Sequence, residues 1–368
     1  GIYHATSIVC EIPSGAAADL WGRKRCMVLS NLCIAVSCVI MLFSKSFGWF
    51  AVSFAVQALG NNLNSGSEEA LVYDSMKCLG QEEHYMGVYG RLNVLIEVAQ
   101  GLATVAGGVL AEFSYFWCYA ACVVIAVLAL LPVLGMAEPP QCGKAADTAG
   151  GSAKDAPAEG TPAQRTIWET VKHHFAVSAC ILQKDAKIGK IIGFYSVVFA
   201  AHTLLFFYSQ QYFADFGYNK VQISVIMLLV GGASCLGALA SEKMYRRFGK
   251  RCLIPETVII AAAILCYGSG KAGVAAAALM CAGFANAALY PIQSDSLNAL
   301  IPSEQRATLI SVDSMCFSIA MIVLFPLAGA LADRWGLKTV LLLLGAILLL
   351  FLLTVFCIEK ESFSSDHS

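Results

Sequence analysis

Eleven stretches of this 368-residue chain are apolar over about 18 residues or more, and nothing else in it constrains the fold as strongly. They run from 1 to 18, 26 to 43, 49 to 75, 85 to 111, 115 to 136, 188 to 213, 219 to 240, 252 to 270, 272 to 298, 306 to 332 and 338 to 358. No single soluble core has room for so many long apolar segments. In lipid every backbone N–H and C=O must be paired within the protein, so each stretch is expected to be a membrane-spanning α-helix. With 58% hydrophobic and 13% charged residues, the composition points the same way. The fold class read from it is all-α, polytopic, with the lipid bilayer as solvent.

Between the first two stretches lies Gly15-Ala-Ala-Ala-Asp19-Leu-Trp-Gly22-Arg23-Lys24-Arg25. It offers a small residue for close packing, an acid at a helix end, a Gly turn and a basic run. The pattern G-x-x-x-D-x-x-G-[RK]-[RK] is matched at every fixed position, and it resembles the signature loop of the major facilitator superfamily. A second match is internal. Asp74-Ser75-Met-Lys-Cys-Leu79 superposes on Asp295-Ser296-Leu-Asn-Ala-Leu300 at an offset of 221, which also aligns Glu83 with Glu304 and Gly108-Val-Leu110-Ala111-Glu112 with Gly329-Ala-Leu331-Ala332-Asp333. A parallel repeat of this size is what two homologous six-helix halves leave behind. The resemblance implies two bundles related by a pseudo-two-fold axis, with twelve helices in the full length. Its signature loop follows the second helix, so the chain is expected to start after the first, with eleven transmembrane helices present, numbered 2 to 12; the missing initiator Met agrees. A degraded copy of the loop, with Ser241 in place of the acid and Arg246-Arg247-Phe-Gly249-Lys250-Arg251 behind it, is expected to act more weakly.

Lys and Arg gather on the cytoplasmic side of membrane proteins. With the signature loop inside, only Lys45, Lys220, Lys271, Arg334 and Lys338 of the 24 basic residues fall outside, which leaves nineteen in or near the inner face. This places the C-terminus in the cytoplasm and the protein in a cytoplasmic (inner) membrane. The domain reading is an N-terminal bundle over 1–137, a cytoplasmic linker over 138–187, a C-terminal bundle over 188–358 and a cytoplasmic tail over 359–368. Residues 139 to 164 are rich in Pro, Gly and Ala and read as a flexible linker; Ile167, Val171, Phe175 and Leu182 then mark an amphipathic interfacial helix. A net charge of −1 says nothing about nucleic acid, since topology accounts for the basic loops; no nucleic-acid partner and no obligate protein partner is inferred. The fifteen cysteines form no Cys-x-x-Cys pair and read as small packing residues; His173 and His174 lack further ligands, so no metal and no cofactor is expected.

An ionisable side chain inside a span is costly unless paired or hydrated, so function is sought there. Span 4 carries Gln57, Asn61, Asn64 and Glu68 at spacings of 4, 3 and 4, one face of a helix. In the family the fourth helix lines the central cavity, although helix-to-helix hydrogen bonding would use the same residues. Span 10 has Asn286, Tyr290 and Gln293 on one face, and span 7 has Tyr195, Phe199, His202, Phe206 and Gln210. Aromatic and polar stripes together suit a partly apolar organic solute. Glu97 stands among Gly87, Gly90, Gly101, Thr104 and Gly108 on span 5, about 18 Å from its inner end, and is expected to point into protein. It leads the proton-coupling candidates, with Glu68, Glu11 and His202 behind it. Gly15, Asp19, Gly22, Arg23, Lys24, Arg25, Arg91, Asp74 and Asp295 form the gating set. Within it Arg91 has Glu11, Glu68, Glu69 and Asp74 at similar depth, as a fixed salt-bridge network or as a gate.

Two family patterns are missing. The fourth-helix R-x-x-Q-G reads Val56-Gln57-Ala-Leu-Gly60, and the fifth-helix antiporter pattern lacks the Pro before Gly107-Gly108. No Ser/His/Asp constellation or Walker loop appears, so neither an enzyme nor ATP drive is expected. The function read is secondary active transport of a small, partly apolar organic solute by alternating access, with H+-coupled efflux as first direction, nutrient uptake as alternative, and a non-transporting sensor or scaffold behind both.

Overall fold

The computed structural model describes residues 1–81, 84–137, 186–249, 253–298 and 306–365. The linker and its amphipathic helix lie outside these residues. Among the described residues the chain forms α-helices and no strand: α1 (Ile2–Trp21), α2 (Arg23–Phe43), α3 (Phe47–Cys78), α4 (Tyr85–Phe113), α5 (Tyr115–Gly135), α6 (Ala186–Asp215), α7 (Lys220–Phe248), α8 (Leu253–Cys266), α9 (Ala272–Asn298), α10 (Arg306–Trp335) and α11 (Leu337–Ser365). Each falls on one of the apolar stretches. Among the described residues eight segments are long and apolar enough to cross a membrane; α8 falls short on length, and α1 and α3 are not among the eight either. The reason is chemical: the acids and amides that make those two helices interesting lower their mean hydropathy.

Short, specific joints set the helix ends. Gly22 alone separates α1 from α2 at φ 94, a left-handed conformation that L side chains rarely adopt. Ser114 alone separates α4 from α5, and its hydroxyl accepts from the Phe116 N–H. Asn219 and Gln222 form a capping box at the start of α7, pairing two N–H groups that the helix itself leaves open.

The chain divides into two compact units. One holds residues 2–100 and 113–180, hence α1, α2, α3, α5 and the first half of α4. There α3 packs on α1 and α2, and α2 on α5. Gly60 permits the α2–α3 approach, since a Cβ would lie 3.1 Å from both the Ser30 carbonyl oxygen and Cys33 Cβ. Buried Ser37 and Ser53 join the same helices, the Ser53 hydroxyl donating to the Ser37 carbonyl at 2.9 Å.

The other unit holds Gly1, residues 101–112 and 181–368. Its main core gathers Val198, Leu205 and Phe213 of α6, Val230 of α7, Ile260 and Ile264 of α8, Leu279 and Leu289 of α9, and Leu341 of α11. A Cβ on Gly237 of α7 would come within 2.1 Å of the Phe284 carbonyl oxygen on α9, so these backbones nearly touch. The tail of α4 is seated the same way: a Cβ on Gly108 would meet Ser224 Oγ at 2.3 Å, and one on Gly101 would meet Leu228 at 3.2 Å. Glu112 Oε1 accepts from the Lys220 N–H at 2.5 Å, while Lys220 Nζ donates to the Ala111 carbonyl. An acid thus sits at the N-terminus of α7 and a cation at the C-terminus of α4, each matched to its helix dipole.

Candidate functional site

In the first unit the polar stripe of α3 faces α1. Asn61 Nδ2 donates to the Tyr3 hydroxyl at 2.8 Å, and Asn64 Nδ2 donates to Glu68 Oε2 at 2.7 Å. Asn62, outside the stripe read from the sequence, exchanges two bonds with Ser7: its Nδ2 donates to the Ser7 carbonyl at 2.7 Å, and the Ser7 hydroxyl donates to its Oδ1 at 2.9 Å. Gln57, Asn61, Asn64 and Glu68 are half-buried, as is Glu11 on α1. The stripe therefore serves helix pairing at Asn61 and keeps its acid hydrogen-bonded to a neutral amide at Glu68.

Of the gating set, Lys24 has a described hydrogen bond. Its Nζ donates to the Leu134 carbonyl at 2.9 Å, one of the last carbonyls of α5, which the helix cannot pair itself. Arg23 is half-buried; Arg25 and Arg91 are exposed. The surroundings of Gly15, Asp19, Glu69, Asp74 and Asp295 lie outside the described positions. Glu97 is exposed, within an exposed run over residues 94–100, rather than enclosed. Among the described glycines of that face, Gly101 and Gly108, about one and three turns beyond the acid, are seated on α7.

In the second unit the stripes of α6 and α9 meet. Tyr195 stacks on Phe199 with ring centroids 6.0 Å apart, and Phe199 lies 5.9 Å from Tyr290. Tyr290 is 60% exposed, so one aromatic face is left open. Gln293, by contrast, is buried, and its Nε2 donates to both carboxylate oxygens of Asp313 on α10 at 3.2 Å each. His202 Nε2 and Asn286 Oδ1 are buried with no hydrogen-bond partner among the described residues. Phe206 is half-buried against the main core and Gln210 is exposed, so the α6 stripe leaves the site at its far end.

The sequence profile of the Major Facilitator Superfamily matches residues 1–312 and 257–366, which together take in nearly the whole chain. The chain belongs to that superfamily. Its fold is shared with solved members of low identity: the nucleoside transporter NupG (TM-score 0.70, 14% identical, covering 98% of this chain and 90% of that one), a D-xylose–proton symporter (0.68, 15%, 96% and 86%) and the human organic anion transporter MFSD10 (0.59, 21%, 96% and 82%). An uncharacterized transporter from Buchnera aphidicola subsp. Schizaphis graminum (strain Sg) is 27% identical over 132 residues, 35% of this chain and 32% of its own length. The chain thus matches about a third of that curated relative. This major facilitator is accordingly a multi-pass membrane protein with a transporter fold, and its family's partners are small-molecule solutes.

Two acids of this facilitator escaped the stripe search. Asp313 stands alone in the stretch 306 to 332, and its Gln293 partner is twenty residues away on another helix. Glu256, in the first turn of α8, is 1% exposed, and among the described residues neither of its carboxylate oxygens has a hydrogen-bond partner. The signal for both was in the sequence: an acid inside an apolar stretch.

Proposed function

We propose that this facilitator is a secondary active transporter that moves a small, partly apolar organic solute by alternating access, coupled to H+ and directed outward, in a cytoplasmic membrane with its C-terminus inside. The observation that supports this most is the α6–α9 seam, where an open aromatic face lies one turn from a buried amide holding a carboxylate. A scaffold gains nothing from such groups and bears their desolvation cost. Glu68, hydrogen-bonded but half-buried, now stands ahead of Glu97 as the coupling acid of the first unit, with Glu11 and His202 retained. In this reading Asp19, Asp74, Asp295 and Arg91 act in gating, and Gln57, Asn61 and Asn64 contribute to the solute path. Reconstitution into vesicles under an imposed pH gradient tests it. Solute flux that follows the gradient supports the reading, its direction separates efflux from uptake, and the absence of flux across a broad panel leaves the sensor or scaffold.

A further inference from the structure

The helices of the second unit carry a finer arrangement than two facing stripes. Tyr212, near the end of α6, donates to the carbonyl of Tyr267, just ahead of α9. At the other end Gln293 of α9 holds Asp313, whose neighbour Val312 packs on Ile188 and Ile192 at the start of α6. The two helices therefore run antiparallel, with Phe199 opposite Tyr290. One turn along each from that contact sets His202 level with Asn286, and one turn the other way sets Tyr195 level with Gln293. The seam is thus a ladder of three rungs: a polar pair with two buried, unpartnered atoms, an aromatic pair, and a rung that ends on a carboxylate. From Asn286 to Gln293 it measures about 10 Å at the helical rise of 1.5 Å per residue.

Asp313 is the unusual member. Its one described hydrogen-bond partner is a neutral amide reached at 3.2 Å, and among the described residues no Lys, Arg or His side chain pairs with it. A carboxylate has about four acceptor positions, and inside a helix bundle a cation close by favours its charged form. The aromatic rung beside it favours cations on its ring faces. At the far end, Asn286 Oδ1 can only accept, and among the described residues no donor reaches it.

We propose that the α6–α9–α10 seam is a subsite for a small organic cation: a protonated amine on Asp313, an apolar or aromatic body against Phe199 and Tyr290, and a hydrogen-bond donor at Asn286 and His202. This deepens the transporter reading by naming a solute class, but binding is measured without transport. Tyramine carries all three features at the right length, and 4-ethylphenol keeps the ring and hydroxyl while lacking the amine. With the purified full-length protein in detergent, tyramine is expected to bind at least about tenfold more tightly than 4-ethylphenol, as for a charge-assisted contact. Asp313→Asn brings the two within about threefold of each other, while Asn286→Ala weakens both alike. Equal affinity of the two probes, binding of neither, or a preference that survives Asp313→Asn overturns the proposal. Should Asp313→Asn fail to fold, the wild-type comparison still decides the charge, and Tyr290→Leu, at an exposed position, decides the place by weakening both probes. Tyramine binding without any solute flux refutes the transporter reading and leaves the subsite; flux of other solutes without tyramine binding does the reverse.

Discussion

Replacing Gly237 by Ala tests the closest helix approach among the described glycines. The added methyl would sit 2.1 Å from the Phe284 carbonyl oxygen, 2.8 Å from its carbonyl carbon and 3.0 Å from its Cα. All three are backbone, so no side chain can swing aside; α7 and α9 must part by roughly 1 Å to restore ordinary contact. Helix association in a bilayer rests largely on close packing, and a gap of that size forfeits a quarter to a half of each neighbouring contact's attraction. The expected loss is about 1 to 3 kcal/mol, the range for overpacking a filled interior. Gly231 supplies the control on the same helix, because a Cβ there meets nothing within 4 Å. Gly231→Ala should be neutral or stabilising by about 0.5 to 1 kcal/mol, since helical Gly is entropically costly. Denaturation of the two detergent-solubilised variants, followed by circular dichroism, makes the comparison. If Gly237→Ala matches or exceeds Gly231→Ala in stability, the close approach of α7 and α9 is refuted.

Further outcomes follow from contacts already described. Lys24→Ala should cost about 0.3 to 1 kcal/mol through loss of the charge at the end of α5, and Lys24→Arg should restore most of it in the same denaturation assay. A double-mutant cycle on Asn61→Leu and Tyr3→Phe should return a coupling near 0.6 kcal/mol, typical of a hydrogen bond between membrane helices; zero coupling would mean that the bond contributes nothing. If Asp19 gates by resting on a helix N-terminus at the inner face, Asp19→Asn weakens the outward-open state by roughly 0.3 to 2 kcal/mol. Unchanged labelling of cavity cysteines in that variant would count against the role.

The helices were legible in the sequence because apolar length alone dictates them: a stretch such as 272 to 298 has no other way to satisfy its backbone in lipid. Gly22 was legible as a turn for the same kind of local reason, and the structure adds the φ that requires it. Partners were harder to see. Spacings of 4 and 3 on α3, α6 and α9 revealed which residues share a face, but not that Asn61 reaches Tyr3 or that Phe199 meets Tyr290, because those depend on how one helix is rotated against another. Asp313 shows the limit most sharply. It has no hydrogen-bonding or charged companion three or four residues away on α10, so a search for stripes passes over it, and the bond from Gln293 brings it into the site. Glu97 shows the converse: a run of small residues at helical spacing predicts enclosure, yet the acid is exposed, because the spacing shows which residues share a face and not what covers it.

The single-residue joints carry a mechanical consequence. Gly22 between α1 and α2 has a counterpart in Gly336 between α10 and α11, at φ 81. One residue spans at most about 3.5 Å, so neither pair has slack for one rod to slide along the other. A push on α1 must reach α2 as a lever stroke, with the glycine as its pivot, and α10 and α11 form a second such lever. Inserting two or three glycines at either pivot would turn the stroke into lost motion while leaving every contact within the helices in place.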